Sequence, residues 1–405
     1  MSATTSTTTG FRWVVLGLFM VVAALSQALG LNFAPLVTDV QHKYGVGELA
    51  ASSLTLVFPL VYVLLSVHAG KLTDRRGYKF TIGLGSVVLA VFSLLRIPDA
   101  GFPLLLVAQT GAAIGQPYVV NGISRLVADW FPPEQSALAT GLGTMGMFLG
   151  LAVGMAATPP LVTAVGWTMT MVVYAVLSVL GALAFLLVVK ERTKVNATVA
   201  HPPMSKLLGN RQLVWLFTAS FMGLGFFNGF TTWLEPILAP HGFDAEKAGE
   251  VGGLLIVGGI IGSVVIPALS DVVRRRKPFL VLSVVCSLVL FAPVVTSQST
   301  WVVMLTAAAM GFFFFPALAL LLDMCAANAG EADAGSATGL LMMFGNAGGV
   351  IIAVLMVVVK GDAPTFERAE VLLAVTIALA IVAGVVVKET APGRAAPELE
   401  PAAER

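Results

Sequence analysis

The stretch HAGKLTDRRGYKFT, His68 to Thr81, decides how the rest of the chain is read. It sets Lys71, Asp74, Arg75, Arg76 and Lys79 between two long apolar runs, in a 405-residue chain with only 11% charged residues. The chain is 57% hydrophobic with a mean hydropathy of +0.92, well above the roughly 45–50% apolar share of a soluble domain. Such a composition belongs to a membrane protein, and the charged stretch reads as a loop between two spans.

Working outward, a helix needs about 20 apolar residues to cross about 30 Å of hydrocarbon. Twelve segments meet or approach this: Trp13–Val37, Leu49–His68, Phe80–Leu95, Phe102–Val127, Ala137–Thr158, Trp167–Val189, Leu213–Leu238, Ala248–Leu269, Phe279–Thr296, Trp301–Ala326, Gly335–Val359 and Ala369–Val387. The first is too long for a signal-peptide core of about 7–15 residues and reads as a retained span. Alternating the spans leaves only Lys43, Arg96, Lys247, Lys360 and Arg368 on one side, out of 23 Lys and Arg. Basic residues collect on the cytoplasmic side, so both termini are expected in the cytoplasm, with the protein in the plasma (inner) membrane. Trp13, Trp130 and Trp215 then fall near inner ends, and Trp167, Trp233 and Trp301 near outer ends, the headgroup level that indole favours.

The polar stretch 190–212 divides the chain, and its HPPMSK segment, His201–Lys206, interrupts any helix. The expected organisation is a tail 1–11, a bundle 12–189, a linker 190–212, a bundle 213–387 and a tail 388–405. The halves resemble each other: Asp74 in LTDRR matches Asp271 in LSDVVRRR at an offset of 197 residues, and ATGL recurs from Ala139 to Ala337 at 198. The fold class expected is an all-α membrane protein, twelve transmembrane helices in two pseudo-symmetric six-helix bundles. Internal repeats of this kind mark alternating-access transporters.

Gly70, Leu72, Asp74, Arg75, Gly77 and Lys79 fit G-x-L-x-D-R-x-G-x-[RK], and on these residues the chain resembles the major facilitator superfamily, whose twelve-span plan the whole chain fits. The resemblance implies a conformational latch, in which Asp74 meets the N-terminal end of the eleventh span near Gly335–Thr338 and Arg125 at the inner end of the fourth. Gly70, Arg75 and Gly77 belong to the same loop, and Asp271 to its degraded second-half copy, which has no glycine before Arg274. Arg125 and Asp323, 198 residues apart, add equivalent positions of opposite charge.

Polar groups at mid-bilayer are functional candidates by default, because burying them in hydrocarbon is costly. Rise per residue puts Gln27, Gln116, Asn228 and Asn346 there, with Tyr62, Phe148 and Phe312 as aromatic candidates. The resemblance implies that spans one, four, seven and ten line the cavity. Glu235 is expected at the outer interface, because Trp233 lies 18 residues beyond Trp215, about 27 Å along a helix; it is a vestibule candidate rather than a midplane proton carrier. A second resemblance rests on GLGTMGMFLGLAVGMAATPPLV, Gly141–Val162, and TGLLMMFGNAGG, Thr338–Gly349. It is to the choline and haem exporters named after feline leukaemia virus receptors. Of that family's two ligand-contacting glutamine positions, Phe148 stands at the first and Asn346 at the second.

No Walker sequence, metal-ligand spacing or nucleophile with an adjacent base occurs, so neither an ATP-driven pump nor an enzyme is expected, and no cofactor or metal. The two cysteines, Cys286 and Cys325, lie in apolar runs, and a net charge of +1 points to no nucleic-acid partner. The reading is a monomeric secondary active or facilitative transporter of a small neutral or cationic organic solute, with lipid bilayer and solute as partners and coupling to a proton or cation left open. Its alternatives are a multidrug or metabolite exporter and a non-transporting receptor or sensor.

Overall fold

A computed structural model describes residues 4–191, 204–330 and 333–388. Most of the expected linker and C-terminal tail, with Arg192, Lys194, Arg394 and Arg405, lies outside the described residues. Among the described residues the chain forms only helices: α1 (Thr4–Leu31), α2 (Val37–Tyr44), α3 (Glu48–Arg76), α4 (Tyr78–Leu94), α5 (Phe102–Val120), α6 (Ile123–Trp130), α7 (Pro133–Ala156), α8 (Thr158–Val165), α9 (Trp167–Val188), α10 (Met204–Gly209), α11 (Arg211–Thr232), α12 (Leu234–Leu238), α13 (Ala245–Val273), α14 (Lys277–Thr296), α15 (Thr300–Ala329), α16 (Ala334–Lys360) and α17 (Glu367–Val386), with two short 3₁₀ turns.

Ten helical stretches among these residues are long and apolar enough to cross a membrane, which makes the chain a multi-pass membrane protein. Two further helices fall short for local reasons. Helix α4 has only 17 residues, and α5 is diluted by Gln109, Gln116 and two prolines. Side chains such as Leu64, Leu187 and Val272 point outward, the arrangement a bilayer rather than water stabilises.

Several expected spans are broken where a side chain or proline competes with the helix ladder. The first ends at Leu31, turns through Ala34–Leu36 on Pro35 and resumes as α2. The fourth stops at Val120, where the Asn121 side chain is bonded to α3, and continues as α6. The seventh ends at Thr232; Trp233, fully buried, donates its indole N–H to the Ala353 carbonyl (3.0 Å), and the separate helix α12 follows.

Close packing depends on glycine. Added Cβ atoms at Gly150 and Gly348 would collide with the backbones of Ala24 and Phe221. Phe221 lies 197 residues after Ala24 and Gly348 lies 198 after Gly150, so the α1–α7 contact recurs as α11–α16 at the offset read from the sequence. Gly146 and Gly154 extend the first stripe onto Met20 and Ala28, and Gly345 extends the second onto Leu224. Small residues here let helices approach to backbone contact, the main source of packing energy in a bilayer.

The repeat also explains an unusual backbone. Gly77 ends α3 with φ +82°, and 197 residues later Arg274 ends α13 with φ +57°, the only non-glycine residue of positive φ among the described residues. Both repeats leave the helix through a positive φ, but differently: Gly77 has ψ 166° and Arg274 ψ 36°, the left-handed region where a side chain is costly.

Candidate functional site

Four of the sequence candidates fall on two helix pairs, Gln27 and Gln116 on α1 and α5, Asn228 and Asn346 on α11 and α16. The Gln116 amide on α5 donates to Oε1 of Gln27 on α1 (2.7 Å), a pairing of the two glutamines singled out for depth alone. Two turns before Gln116 on α5, Gln109 donates to the carbonyls of Leu29 (2.8 Å) and Leu54 (2.9 Å), tying α1, α3 and α5 together. The Tyr62 hydroxyl donates to Asn121 (3.0 Å), whose amide donates to the Ser66 carbonyl (3.0 Å). His68 shares a 2.8 Å hydrogen bond with the Tyr118 hydroxyl. A polar strip thus runs along α3 and α5.

An aromatic wall stands beside it. Phe148 of α7 meets Phe315 of α15 edge to face at 5.1 Å, and Phe315 meets Phe227 of α11 at 5.2 Å. Phe148 falls between Gly146, packed on Met20, and Gly150, packed on Ala24, which brings it within two turns of Gln27 along α1. Phe312 goes elsewhere: it stacks edge-on against Phe313 at 5.2 Å, with its backbone against Gly262. Phe315, not Phe312, is the residue that reaches Phe148. The Asn228 and Asn346 amides each donate to their own helix, to Leu224 and Met342, both at 2.9 Å. Asn228 also packs on Gly349, one turn beyond Asn346.

At one end of the helices, the end of Glu48, the two halves are joined. Thr38 donates its N–H (3.2 Å) and its hydroxyl (2.8 Å) to Oε2 of Glu235, which is 4% exposed. Lys360 pairs with Glu48 at 2.5 Å, its ammonium also 4.8 Å from the Phe366 ring. Gly249 sits against the Met155 carbonyl and Gly253 against Ala156. Glu235 lies beyond Thr232, where the spanning part of α11 ends; burial raises its pKa, against the two Thr38 hydrogen bonds and with Asp39 and Glu48 adding to the rise.

The opposite end carries the latch candidates. Cβ atoms added at Gly70, Gly141, Gly335 or Gly339 would meet nothing within 4 Å. Gly77 differs: besides its positive φ, a Cβ would stand 2.6 Å from Oε2 of Glu191. Arg125 pairs with Asp129 at 3.5 Å, and Arg75 is exposed. In the second half Arg276 bridges Asp271 (2.6 Å) and Asp323 (2.9 Å) and touches the Ser270 hydroxyl (3.1 Å).

Three participants escaped sequence reading. Arg276 looked like one basic residue in a run of four, and only the turn at Arg274 aims it inward. Thr38 carries no charge to mark it. Arg96 was assigned to a loop, yet it is 3% exposed with its guanidinium 4.9 Å from the Phe33 ring; a basic residue beside a helix end gives no signal of burial.

Comparison with known proteins follows this geometry. The sequence pattern of the Major Facilitator Superfamily matches residues 10–353. An uncharacterized protein of Archaeoglobus fulgidus is 39% identical over 44% of this chain and 81% of its own length. The choline/ethanolamine transporter flvcr2b of Danio rerio is 23% identical, over 85% of this chain and 77% of the relative. Among solved structures, a bacterial homolog to the human lysosomal transporter Spinster, inward-facing and unoccupied, aligns with a TM-score of 0.69 at 15% identity, covering 93% of this chain and 96% of the other.

Proposed function

The chain belongs to the Major Facilitator Superfamily, and from that premise we propose that it carries a small neutral or cationic organic solute across the membrane by alternating access. Residues 12–189 and 213–387 act as two six-helix bundles, joined by the linker 190–212 with both termini cytoplasmic, and the solute binds between them. The site is formed by Gln27, Gln116, Asn228 and Asn346 with the aromatic faces of Tyr62, Phe148 and Phe315. Aromatic faces attract ammonium groups, and amide side chains orient hydroxyls or carbonyls without demanding a charge. The choline/ethanolamine transporters among the relatives lend this chemistry weight.

The observation that carries the reading is the asymmetry of contact. Gly249 and Gly253 are crowded and two polar links close the Glu48 end, while Gly70, Gly141, Gly335 and Gly339 face open space at the Asp74 end. That is the pattern of a transporter with its outer gate shut and its inner side open. In the opposite state, Asp74, Arg75 and Arg125 close the inner side as a latch, and Glu235 opens to the outer vestibule.

The test is a thermal-shift screen of purified protein against choline, ethanolamine and neutral polyols, followed by uptake into vesicles. A ligand that raises stability and is carried across supports the reading. Stabilisation only by bulky, unrelated amphiphiles would favour a multidrug exporter, and binding without flux a receptor.

A further inference from the structure

Between α4 and α9, on the outside of the helices at the Asp74 end, lies a groove of about 460 Å³. Its upper rim is Arg76, Lys79 and Glu191, and its floor is apolar, formed by Phe80, Gly83, Leu84, Val87 and Leu186. Absence of a side chain at Gly83 deepens it, since a Cβ there would stand 2.6 Å from Leu186. We propose that this groove binds one singly anionic glycerophospholipid, its phosphate on Arg76 and Lys79 and one acyl chain along the floor.

Charge and position select the occupant. Arg76 lies 5.1 Å over the Phe80 ring, which holds the cation at the junction of rim and floor. Glu191 is the one acid on the rim, and its Oε2 accepts the Lys79 backbone N–H (2.9 Å) in the first turn of α4. Its charge is therefore directed at the positive end of that helix, leaving a formal +1 on the rim facing the bilayer. Basic pockets between spanning helices recognise phospholipid headgroups, and the volume is that of a ligand site rather than a packing defect. Phe80, Leu84 and Val87 are exposed, as a wall meeting an acyl chain must be.

The other half lacks this arrangement. Arg276, 197 residues after Lys79, is engaged by Asp271 and Asp323. Lipid selectivity is thus a property of one half, next to the Gly77 turn, so an occupied groove braces the loop that carries Asp74.

Native mass spectrometry of the full chain, released from detergent containing equal amounts of dioleoyl phosphatidylglycerol, phosphatidylethanolamine and phosphatidylcholine, tests this. Wild type should retain one phosphatidylglycerol in at least about fivefold preference. Retention should fall to the phosphatidylcholine level in Arg76→Gln/Lys79→Gln, but not in Arg275→Gln, a cation change on the equivalent loop. Leu186→Trp, which fills the floor and leaves the charges in place, should also lose the lipid while melting normally. Equal retention of the three lipids, a preference for phosphatidylethanolamine, or unchanged retention in the double variant overturns the proposal. So does displacement by millimolar inorganic phosphate, which would make the rim a simple anion site.

Discussion

Thr38 and Glu235 are 197 residues apart, the offset of the internal repeat, and they touch: both donors of Thr38 converge on one carboxylate oxygen of Glu235. Repeat-equivalent positions can meet only near the axis relating the halves, so this contact marks the closed end of that axis.

Burial of Glu235 makes closure pH-dependent. Its pKa is raised in this closed arrangement by burial, with Asp39 and Glu48 adding to the rise. The closed form therefore binds the proton more tightly than a form in which Glu235 meets water. Its stabilisation is full below the ordinary carboxylate range and is lost as pH rises through the raised value. Lowering pH from 7 to 5 should increase the fraction closed at the Glu48 end, read by fluorescence quenching of a label there. Glu235→Gln should flatten the profile; an unaltered slope would remove Glu235 from the gate.

Glu48 and Lys360 form the second link, with Lys360 only 8% exposed. Glu48→Ala leaves its ammonium buried beside Phe366 without a carboxylate, and should shift the equilibrium toward opening by about 1–2 kcal/mol, or roughly 5–30-fold. The swap Glu48→Lys with Lys360→Glu should recover part of this. If neither single change moves the equilibrium, the pair contributes nothing to closure.

Gln27 and Gln116 share one hydrogen bond, and breaking it leaves a half-buried amide unpaired, at a cost of about 1–3 kcal/mol. Gln116→Ala should weaken solute affinity about 5- to 100-fold. A double-mutant cycle with Gln27→Ala should be clearly non-additive, because the residues share a partner. Additive losses, or undiminished affinity, would take the pair out of the site.

The contrast between crowded and open glycines predicts which can be filled. Gly150→Ala and Gly348→Ala drive a methyl into backbone and should each cost about 1–3 kcal/mol in thermal melts. Gly17→Ala meets nothing within 4 Å and should melt no lower than wild type. Equal effects at all three sites would contradict the packing described.

What could be read from the sequence follows from the physics of each feature. Membrane class, helix positions and the repeat register in composition and spacing, since hydrocarbon demands long apolar helices. Counting residues singles out Gln27 and Gln116 one by one, and says nothing of the hydrogen bond between them. Breaks at Asn121 and Trp233 were missed because each depends on a partner 50 or more residues away, Tyr62 or Ala353. Helices apolar on every side reveal little of which face meets a neighbour, so the contact of Phe315 with Phe148 leaves no mark in the sequence. Arg276 was hidden for a related reason: the φ of Arg274, not the run of charges, directs it toward Asp271 and Asp323.

Alternating access is most directly tested by pulsed electron resonance on reconstituted protein with Cys286 and Cys325 replaced by Ser. One spin-label pair would be at His42 and Asp362, at the Glu48 end, and another at Lys71 and Arg275, at the Asp74 end. The account predicts opposite changes: in Glu48→Ala the first distance lengthens while the second shortens. Distances that both stay fixed, or that lengthen together, would contradict a rocking transporter.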